Sequence, residues 1–262
     1  MHRLLAIVFL VLLSGDAFAQ SVRFASVAVG NSPAGPEITG WMYRPSGNGP
    51  FPAIVLAHSC AGVNRHTEVW GKLLASWGYV VLAPDSFGPR NEKAVCTKPG
   101  VVTGGMRVSD VAGALKFLAT QPDVRADRLG LIGHSHGGWT TVRSVQGSYG
   151  LAALGLRAAV AYYPSCAPQF DRDVSVPLLI LIGDKDDWTP AERCRRLEAA
   201  GFTRPDLVES VYYPNALHSF DSTGRDRTVP GAPGKTHRLG YDPGAAPDAE
   251  ARTKAFFAKY LR

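Results

Sequence analysis

The pentapeptide Gly133-His134-Ser135-His136-Gly137 is the stretch on which the interpretation of this chain depends. It has the pattern G-x-S-x-G, follows an apolar run at 128–132 and precedes a helix start at 138–141. In this context a serine occupies a tight, exposed turn between a strand and a helix. The flanking glycines fit, because a larger side chain would collide with the neighbouring strand or helix. The pattern predicts that Ser135 is a nucleophile, against the alternative of a glycine-rich turn whose serine has no chemical role.

Apolar runs alternate with helical patterns along most of the 262 residues. Strands are predicted at 22–29, 37–44, 53–58, 79–83, 129–133, 158–163, 178–182 and 207–213. Helices are predicted at 67–77, 108–119, 136–145, 191–200 and 247–261. Continuous apolar strands separated by helices favour a mostly parallel sheet that is covered on both faces. We therefore predict an α/β fold with about eight strands and flanking helices, in a single domain over 20–262.

Residues 221–244 break this alternation, because they are rich in Gly, Pro, Arg and Asp and show no periodicity. A loop of this length in a compact domain is usually functional or mobile. We expect it to form either a lid or the rim of a pocket.

The N-terminus has the pattern of a secretory signal peptide. Met1-His2-Arg3 is a short basic start, residues 4–13 are apolar, and Ala17-Phe18-Ala19 offers a cleavage site before Gln20. The apolar run is too short to cross a bilayer, which argues against the alternative of an uncleaved anchor. We therefore predict a signal peptide over 1–19, a periplasmic or secreted protein, and no membrane association after cleavage.

Export bears on the four cysteines, all of which lie in the mature chain: Cys60, Cys96, Cys166 and Cys194. An even number of cysteines in an oxidising compartment predicts two disulfides, for which three pairings are possible. The chain has no C-x-x-C pair, so a zinc or thioredoxin-like interpretation is weak.

Composition narrows the choice of partners. The chain is 45% hydrophobic and 19% charged, with a net charge of +6. The cations are scattered and form no stripe interleaved with aromatic residues, which argues against a nucleic-acid partner. The charge supports only a mild attraction to anionic substrates or surfaces.

A serine hydroxyl is a poor nucleophile alone and needs a base that a carboxylate orients. On folds with this turn, the acid and then the histidine follow the serine along the chain. The seventh predicted strand is followed by three aspartates, and the spacing G-x-x-D-x-x-x-P favours Asp186 over Asp184 and Asp187. His218 lies just past the last predicted strand and has the correct place in the chain order. We predict a catalytic triad of Ser135, Asp186 and His218.

The other histidines of the mature chain have simpler interpretations: His134 and His136 flank the nucleophile, His58 and His66 border the loop after the third strand, and His237 lies in the irregular segment. A metal site formed by His58, His134 and His136 lacks a carboxylate at suitable spacing. We therefore expect neither a metal ion nor another cofactor.

A negative oxygen that develops during acyl transfer needs backbone N–H donors, which together form an oxyanion hole. We expect one donor from His136, the residue after the nucleophile. The second should come from the loop 59–64 after the third strand, and we select Cys60 within it.

Candidate residues for lining a substrate pocket are Arg90, Trp139, Tyr163, Trp188 and Phe87. For each aromatic residue the alternative is packing in the core. Arg90 could bind a substrate carboxylate, or it could pair at the surface with Glu92 or an aspartate.

Four motifs together resemble the dienelactone hydrolase family of α/β-hydrolases. They are His58-Ser59-Cys60-Ala61-Gly62-Val63-Asn64, Gly133-x-Ser135-x-Gly137, Gly183-x-x-Asp186 and Ala216-x-His218-Ser219-Phe220, in this order over nearly the whole mature chain. The resemblance implies an α/β-hydrolase fold and hydrolysis at Ser135. The enzymes after which the family is named look like cytosolic proteins. They carry a cysteine as the nucleophile, and they have an acidic residue at the position that Ser59 occupies here. These departures favour ordinary serine-esterase chemistry over dienelactone itself as the substrate.

The strand order of that family also implies the disulfide pairing, because it makes the third and fourth strands neighbours, and likewise the sixth and seventh. Cys60 and Cys96 follow the first two of these strands, whereas Cys166 and Cys194 follow the other two. The resemblance therefore implies Cys60–Cys96 and Cys166–Cys194 bonds. The first bond would hold the oxyanion loop in place.

These observations favour an exported serine hydrolase that acts on a small-molecule carboxylic ester or lactone through an acyl-enzyme intermediate. An amide or peptide hydrolase on the same fold is an alternative, although the sequence has no separate propeller or specificity domain. A non-catalytic binding protein on a hydrolase fold is a third hypothesis, against which the intact Ser–Asp–His set argues.

Overall fold

The computed structural model describes residues 19–224 and 226–262. The predicted signal peptide lies outside these ranges except for its last residue, Ala19. Within the described ranges, no helix is both long enough and apolar enough to cross a membrane.

Over the part of the chain that the structure describes, eight strands form the main sheet: β1 (Gln20–Ala25), β2 (Glu37–Tyr43), β3 (Phe51–Ala57), β4 (Val80–Asp85), β5 (Val124–His134), β6 (Leu156–Tyr162), β7 (Leu178–Gly183) and β8 (Val208–Tyr213). Their order across the sheet is β1-β2-β4-β3-β5-β6-β7-β8. β2 runs antiparallel to β1 and β4, and the other pairs are parallel. The predicted mostly parallel sheet is therefore confirmed.

In the described residues, five α-helices accompany the sheet: α1 (Arg65–Ser76), α2 (Met106–Ala119), α3 (His136–Ser144), α4 (Ala191–Ala199) and α5 (Ala245–Leu261). α5 packs on Gly130 of β5, whereas α3 packs on Gly133 of the same strand. Residues an odd number of positions apart on a strand face opposite sides of the sheet. The two helices therefore cover opposite faces of β5, as an α/β sandwich of this kind requires.

The central strands are apolar on both sides because both faces are covered. Every residue of β7 is buried, and so are the last five residues of β3.

At the carboxyl end of β3 the chain turns into α1, which begins with a capping box. Asn64 accepts the His66 N–H through its side chain, and the Thr67 hydroxyl accepts the Asn64 N–H. This cap fixes the end of the loop in which we expected an oxyanion donor.

Two sequence predictions need correction. The strand predicted at 22–29 ends at Ala25, because Val27 leaves the sheet and its N–H donates to the Ser109 carbonyl in α2. The segment 221–244 is not irregular throughout. It contains an antiparallel hairpin of β9 (Arg227–Pro230) and β10 (Thr236–Leu239), which lies against the site described next.

Candidate active site

Ser135 lies at the sharp turn between β5 and α3, with φ of 56° and ψ of −111°. Non-glycine residues rarely adopt a positive φ, so surrounding contacts must hold it. The Ser135 N–H donates to the Tyr162 carbonyl at 3.0 Å, and its carbonyl accepts the Trp139 N–H at 2.8 Å. A Cβ at Gly137 would overlap the backbone carbonyl of Ala57 in β3. The turn therefore closes only with glycine at position 137.

His218 follows β8 and connects Ser135 to Asp186. Its Nε2 lies 2.9 Å from Ser135 Oγ, and its Nδ1 lies 2.7 Å from Asp186 Oδ2. Because an ionised carboxylate can only accept, Nδ1 carries the proton and Nε2 is left to accept the Ser135 hydroxyl. His218 and Asp186 are both buried, so little water competes for these bonds.

The Asp186 carboxylate lies in the loop after β7, and local hydrogen bonds orient it. Oδ1 accepts the backbone N–H groups of Trp188 and Thr189, each at 2.8 Å. Oδ2 lies 2.8 Å from the Thr189 hydroxyl, which can donate to it. These bonds hold the carboxylate in one orientation, with Oδ2 toward His218.

The two other aspartates of this loop bind groups other than His218. Asp184 pairs with a surface arginine of α4 at 2.7 Å. Asp187 accepts the backbone N–H of Arg238 at 3.2 Å. Of the three candidates from the sequence, Asp186 is the one that the structure brings to His218.

The two residues expected to donate to an oxyanion line the same cavity as Ser135. Within the described part of the chain, neither the Cys60 N–H nor the His136 N–H has a hydrogen-bond acceptor. At His136 this follows from its position as the first residue of α3, where backbone N–H groups lack intrahelical partners. The helix terminus adds a partial positive charge. A negative oxygen could therefore be received beside Ser135.

Two disulfides link Cys60 to Cys96 and Cys166 to Cys194. These are the pairs that the family resemblance implies. No cysteine in the described ranges is free.

The Cys60–Cys96 disulfide holds the loop that carries one expected oxyanion donor. The Val95 N–H donates to the Cys60 carbonyl at 2.8 Å. Phe87 and Val102 are buried in a small apolar cluster around the bond, separate from the main core. Covalent, hydrogen-bonded and apolar contacts thus act together on this short loop.

Ser135 opens onto two cavities, with volumes of about 600 and about 270 Å³. Trp188 and the first disulfide line both cavities. Of the other residues expected at a substrate pocket, Trp139 lines the larger cavity and Tyr163 lines the smaller one. Two cavities that meet at one serine could separate the acid part of a substrate from its alcohol part.

The β9–β10 hairpin forms part of the wall of both cavities. His237 of β10 stacks on Trp188, with ring centroids 4.6 Å apart and an interplanar angle of 13°. The Trp188 ring centroid in turn lies 5.2 Å from that of His218. Segment 221–244 therefore forms part of the pocket rim. It reaches His218 through the Trp188 ring and also directly, because the Gly240 N–H donates to the His218 carbonyl at 3.3 Å.

Comparison with known proteins identifies the family. Residues 38–261 match the sequence profile of the dienelactone hydrolase family. This chain belongs to that family.

Individual relatives agree with this assignment. A Synechocystis sp. protein named as a carboxymethylenebutenolidase is 22% identical, over 86% of this chain and 93% of its own. A Bradyrhizobium sp. protein named as a 2-oxo-3-(5-oxofuran-2-ylidene)propanoate lactonase is 27% identical, over 72% of this chain and 82% of its own. The crystal structure of a Klebsiella pneumoniae protein named as a dienelactone hydrolase has a TM-score of 0.70 at 22% identity, over 93% of this chain and 100% of its own. This dienelactone hydrolase family member is therefore a hydrolase that acts on lactones or esters.

A second buried carboxylate of this family member, Asp221, did not emerge from the sequence. Its Oδ1 accepts the Tyr163 hydroxyl at 2.7 Å, and its Oδ2 lies 2.8 Å from both Trp70 Nε1 and His66 Nε2. Burial acts to raise the pKa of the Asp221 carboxyl, but His66 and the other hydrogen-bond donors bring it below its usual range. The Tyr163 ring contacts the His218 ring, with centroids 4.7 Å apart. Asp221 thus holds Tyr163 in place, and His218 packs against the Tyr163 ring.

Within the described ranges, His66, His134 and Asp221 are the group that could hold a metal ion, with ligand atoms all within 4.8 Å of one another. Three side chains already donate hydrogen bonds to Asp221, so the cluster is stable as a hydrogen-bonded network. Burial lowers the pKa of His134 to about 3, which keeps its ring neutral. This group differs from the set of His58, His134 and His136 considered from the sequence.

Two of the expected pocket residues line neither cavity: Phe87, which is buried in the apolar cluster around the first disulfide, and Arg90. The Arg90 guanidinium makes two 2.9 Å bonds to the buried Asp110 carboxylate and a third bond to the Ser86 carbonyl. The expectation that Arg90 binds a substrate carboxylate is therefore corrected. Its partner is an aspartate, as in the alternative, but the pair is buried and does not lie at the surface.

Proposed function

We propose that this chain hydrolyses carboxylic esters or lactones through an acyl-enzyme intermediate on Ser135. The observation that carries the proposal is the line of hydrogen bonds from Ser135 Oγ through His218 to Asp186, at 2.9 and 2.7 Å. Family membership supplies the hydrolase class, and this geometry supplies the candidate nucleophile, base and orienting acid.

In the proposed acylation step, Ser135 Oγ forms a bond to the substrate carbonyl carbon as its proton moves to His218 Nε2. Asp186 stabilises the imidazolium that results. The carbonyl electrons move onto the oxygen, which accepts the N–H groups of Cys60 and His136. Collapse of this intermediate breaks the bond to the leaving oxygen, which takes the proton from Nε2.

Deacylation repeats these steps with water as the nucleophile. His218 takes a proton from the water as the water oxygen attacks the acyl carbon, and then returns a proton to Ser135 Oγ. With a lactone the leaving alcohol stays attached to the acyl group. The product is then a single hydroxy acid.

Replacing Ser135 by alanine (Ser135→Ala) should lower p-nitrophenyl acetate hydrolysis by on the order of 10⁴-fold or more, because the acyl acceptor is gone. Ser76→Ala, at an exposed position in α1, is the matched control and should keep full activity. Near-normal turnover by Ser135→Ala would rule out the mechanism.

The same assay separates the rival functions. A p-nitroanilide with the same acyl group tests amide hydrolysis, and faster turnover of the anilide than of the ester would favour the amidase. A wild-type protein that turns over neither substrate across a panel of acyl chains, and resists fluorophosphonate labelling, would favour a binding protein.

The two disulfides close segments of similar length, with sequence separations of 36 and 28. Removing either one by paired alanine substitutions should lower the free energy of unfolding by roughly 3–4 kcal/mol. Only the loss of Cys60–Cys96 should also lower kcat, by about tenfold or more, because it frees one oxyanion donor.

The Cys166–Cys194 double variant is the matched control, since it loses similar stability away from the oxyanion loop. Urea unfolding and steady-state kinetics at a temperature where both variants are folded make the comparison. Equal kcat values for the two double variants would contradict a role for the first disulfide in the oxyanion hole.

We also propose that residues 1–19 are removed as a signal peptide and that residues 20–262 form the exported domain. Two disulfides and a basic, apolar N-terminus support export. Full-length protein expressed in a Gram-negative host should yield a periplasmic form that begins at Gln20, as read by intact mass. Ala19→Pro should block this cleavage, and an uncleaved wild-type chain would contradict the proposal.

A further inference from the structure

Arg107, in the first turn of α2, is a buried cation that the triad mechanism leaves unused. The residue is only 1% exposed. In the described part of the chain no carboxylate pairs with it directly, since Asp110 on the same helix pairs with Arg90. Removing a charge from water without a direct partner carries a large free-energy cost. Arginine at this position therefore calls for an explanation.

Its contacts lie on both sides of the proposed oxyanion hole. Arg107 Nη1 donates to the backbone carbonyl of His58 at 3.0 Å and lies 2.9 Å from Nδ1 of His136. His58 comes two residues before Cys60 in the oxyanion loop, and His136 carries the other expected donor. One nitrogen atom thus ties together the two chain segments that would supply the oxyanion hole.

The His136 ring must be neutral for its Nδ1 to accept this bond. Burial and the Arg107 charge lower the pKa of His136 to about 3, so the ring stays neutral near pH 7. Burial also lowers the pKa of Arg107, to about 9, while the nearby Asp110 acts against this shift. The guanidinium therefore remains charged near pH 7. Phe87 packs against it, with the guanidinium carbon 5.1 Å from the ring centroid, and limits access of water.

We propose that Arg107 is a positioning residue for hydrolysis. It holds the backbone N–H groups of Cys60 and His136 in place relative to each other, and its buried positive charge stabilises the oxyanion. This inference rests on the proposed function. A neutral amide could tie down the His58 carbonyl without the cost of burying a charge. A fixed charge in a medium of low dielectric acts strongly on a negative oxygen that forms only during the reaction. The effect should therefore appear in kcat and not in substrate binding.

Three substitutions separate charge from simple anchoring. Arg107→Met removes both the charge and the donor, Arg107→Gln keeps a donor without charge, and Arg107→Lys keeps both. We expect kcat to fall by about 10²-fold in the Met and Gln variants, with KM changed less than about threefold, and lysine to restore part of kcat. Lys116→Met, at an exposed position on the same helix, is the control and should behave as wild type.

A second readout is the affinity for a boronic acid that forms an anionic tetrahedral adduct with serine. This affinity should fall in parallel with kcat/KM across the Met and Gln variants, because the adduct carries the charge of the transition state. A merely structural role would lower thermal stability and leave the affinity of the folded fraction unchanged. Near-UV circular dichroism reports folding, and if Arg107→Met does not fold, Arg107→Gln decides.

The outcomes also separate this inference from the proposed function. Esterase activity that survives Ser135→Ala defeats the proposed function. Activity that Ser135→Ala abolishes, but that Arg107→Gln retains within about twofold with unchanged boronic acid affinity, overturns only the role of Arg107. A lysine variant no better than the glutamine variant would likewise contradict the electrostatic part.

Discussion

The close approach of the β5–α3 turn to β3 is the constraint on which the rest of the site depends. Gly137 lies so near the Ala57 carbonyl that no side chain fits there, and Ser135 is held at a φ of 56°. The Tyr162 carbonyl on the neighbouring strand fixes the Ser135 backbone. The same turn thus sets the position of the hydroxyl, the backbone N–H of His136 and the amino end of α3. A looser turn would move all three together.

Two buried carboxylates near this turn contact different groups and have different roles. Asp186 orients His218 directly, whereas Asp221 acts one layer further out by holding Tyr163 and the residues around it. Both oxygens of each carboxylate accept hydrogen bonds, which compensate for burial. Arg107 is a buried positive charge that contacts the His58 carbonyl and the His136 ring, in the two segments of the proposed oxyanion hole. In the proposed mechanism, a carboxylate therefore lies beside the base and a cation lies beside the oxyanion hole.

The sequence was sufficient for the sheet, the family and the positions of Ser135, Asp186 and His218, because each of these leaves a local pattern or an ordered motif. Asp221 and Arg107 leave none. Their partners lie far away along the chain, and a buried hydrogen bond between distant residues has no periodicity to detect. The β9–β10 hairpin was missed because each strand has only four residues, which is short for a recognisable alternation. The position of Arg90 just after β4 favours a place at the pocket. Its partner Asp110 cannot be identified from the sequence.

The central claim is that Ser135 becomes acylated with His218 as its base. Wild-type protein should be treated with a fluorophosphonate, and the modified peptide should be identified by mass spectrometry after digestion. The account predicts a single adduct on Ser135 and a large loss of labelling rate in His218→Ala, because the hydroxyl then lacks its proton acceptor. An adduct on another residue, or equal labelling rates in the wild type and His218→Ala, would contradict it.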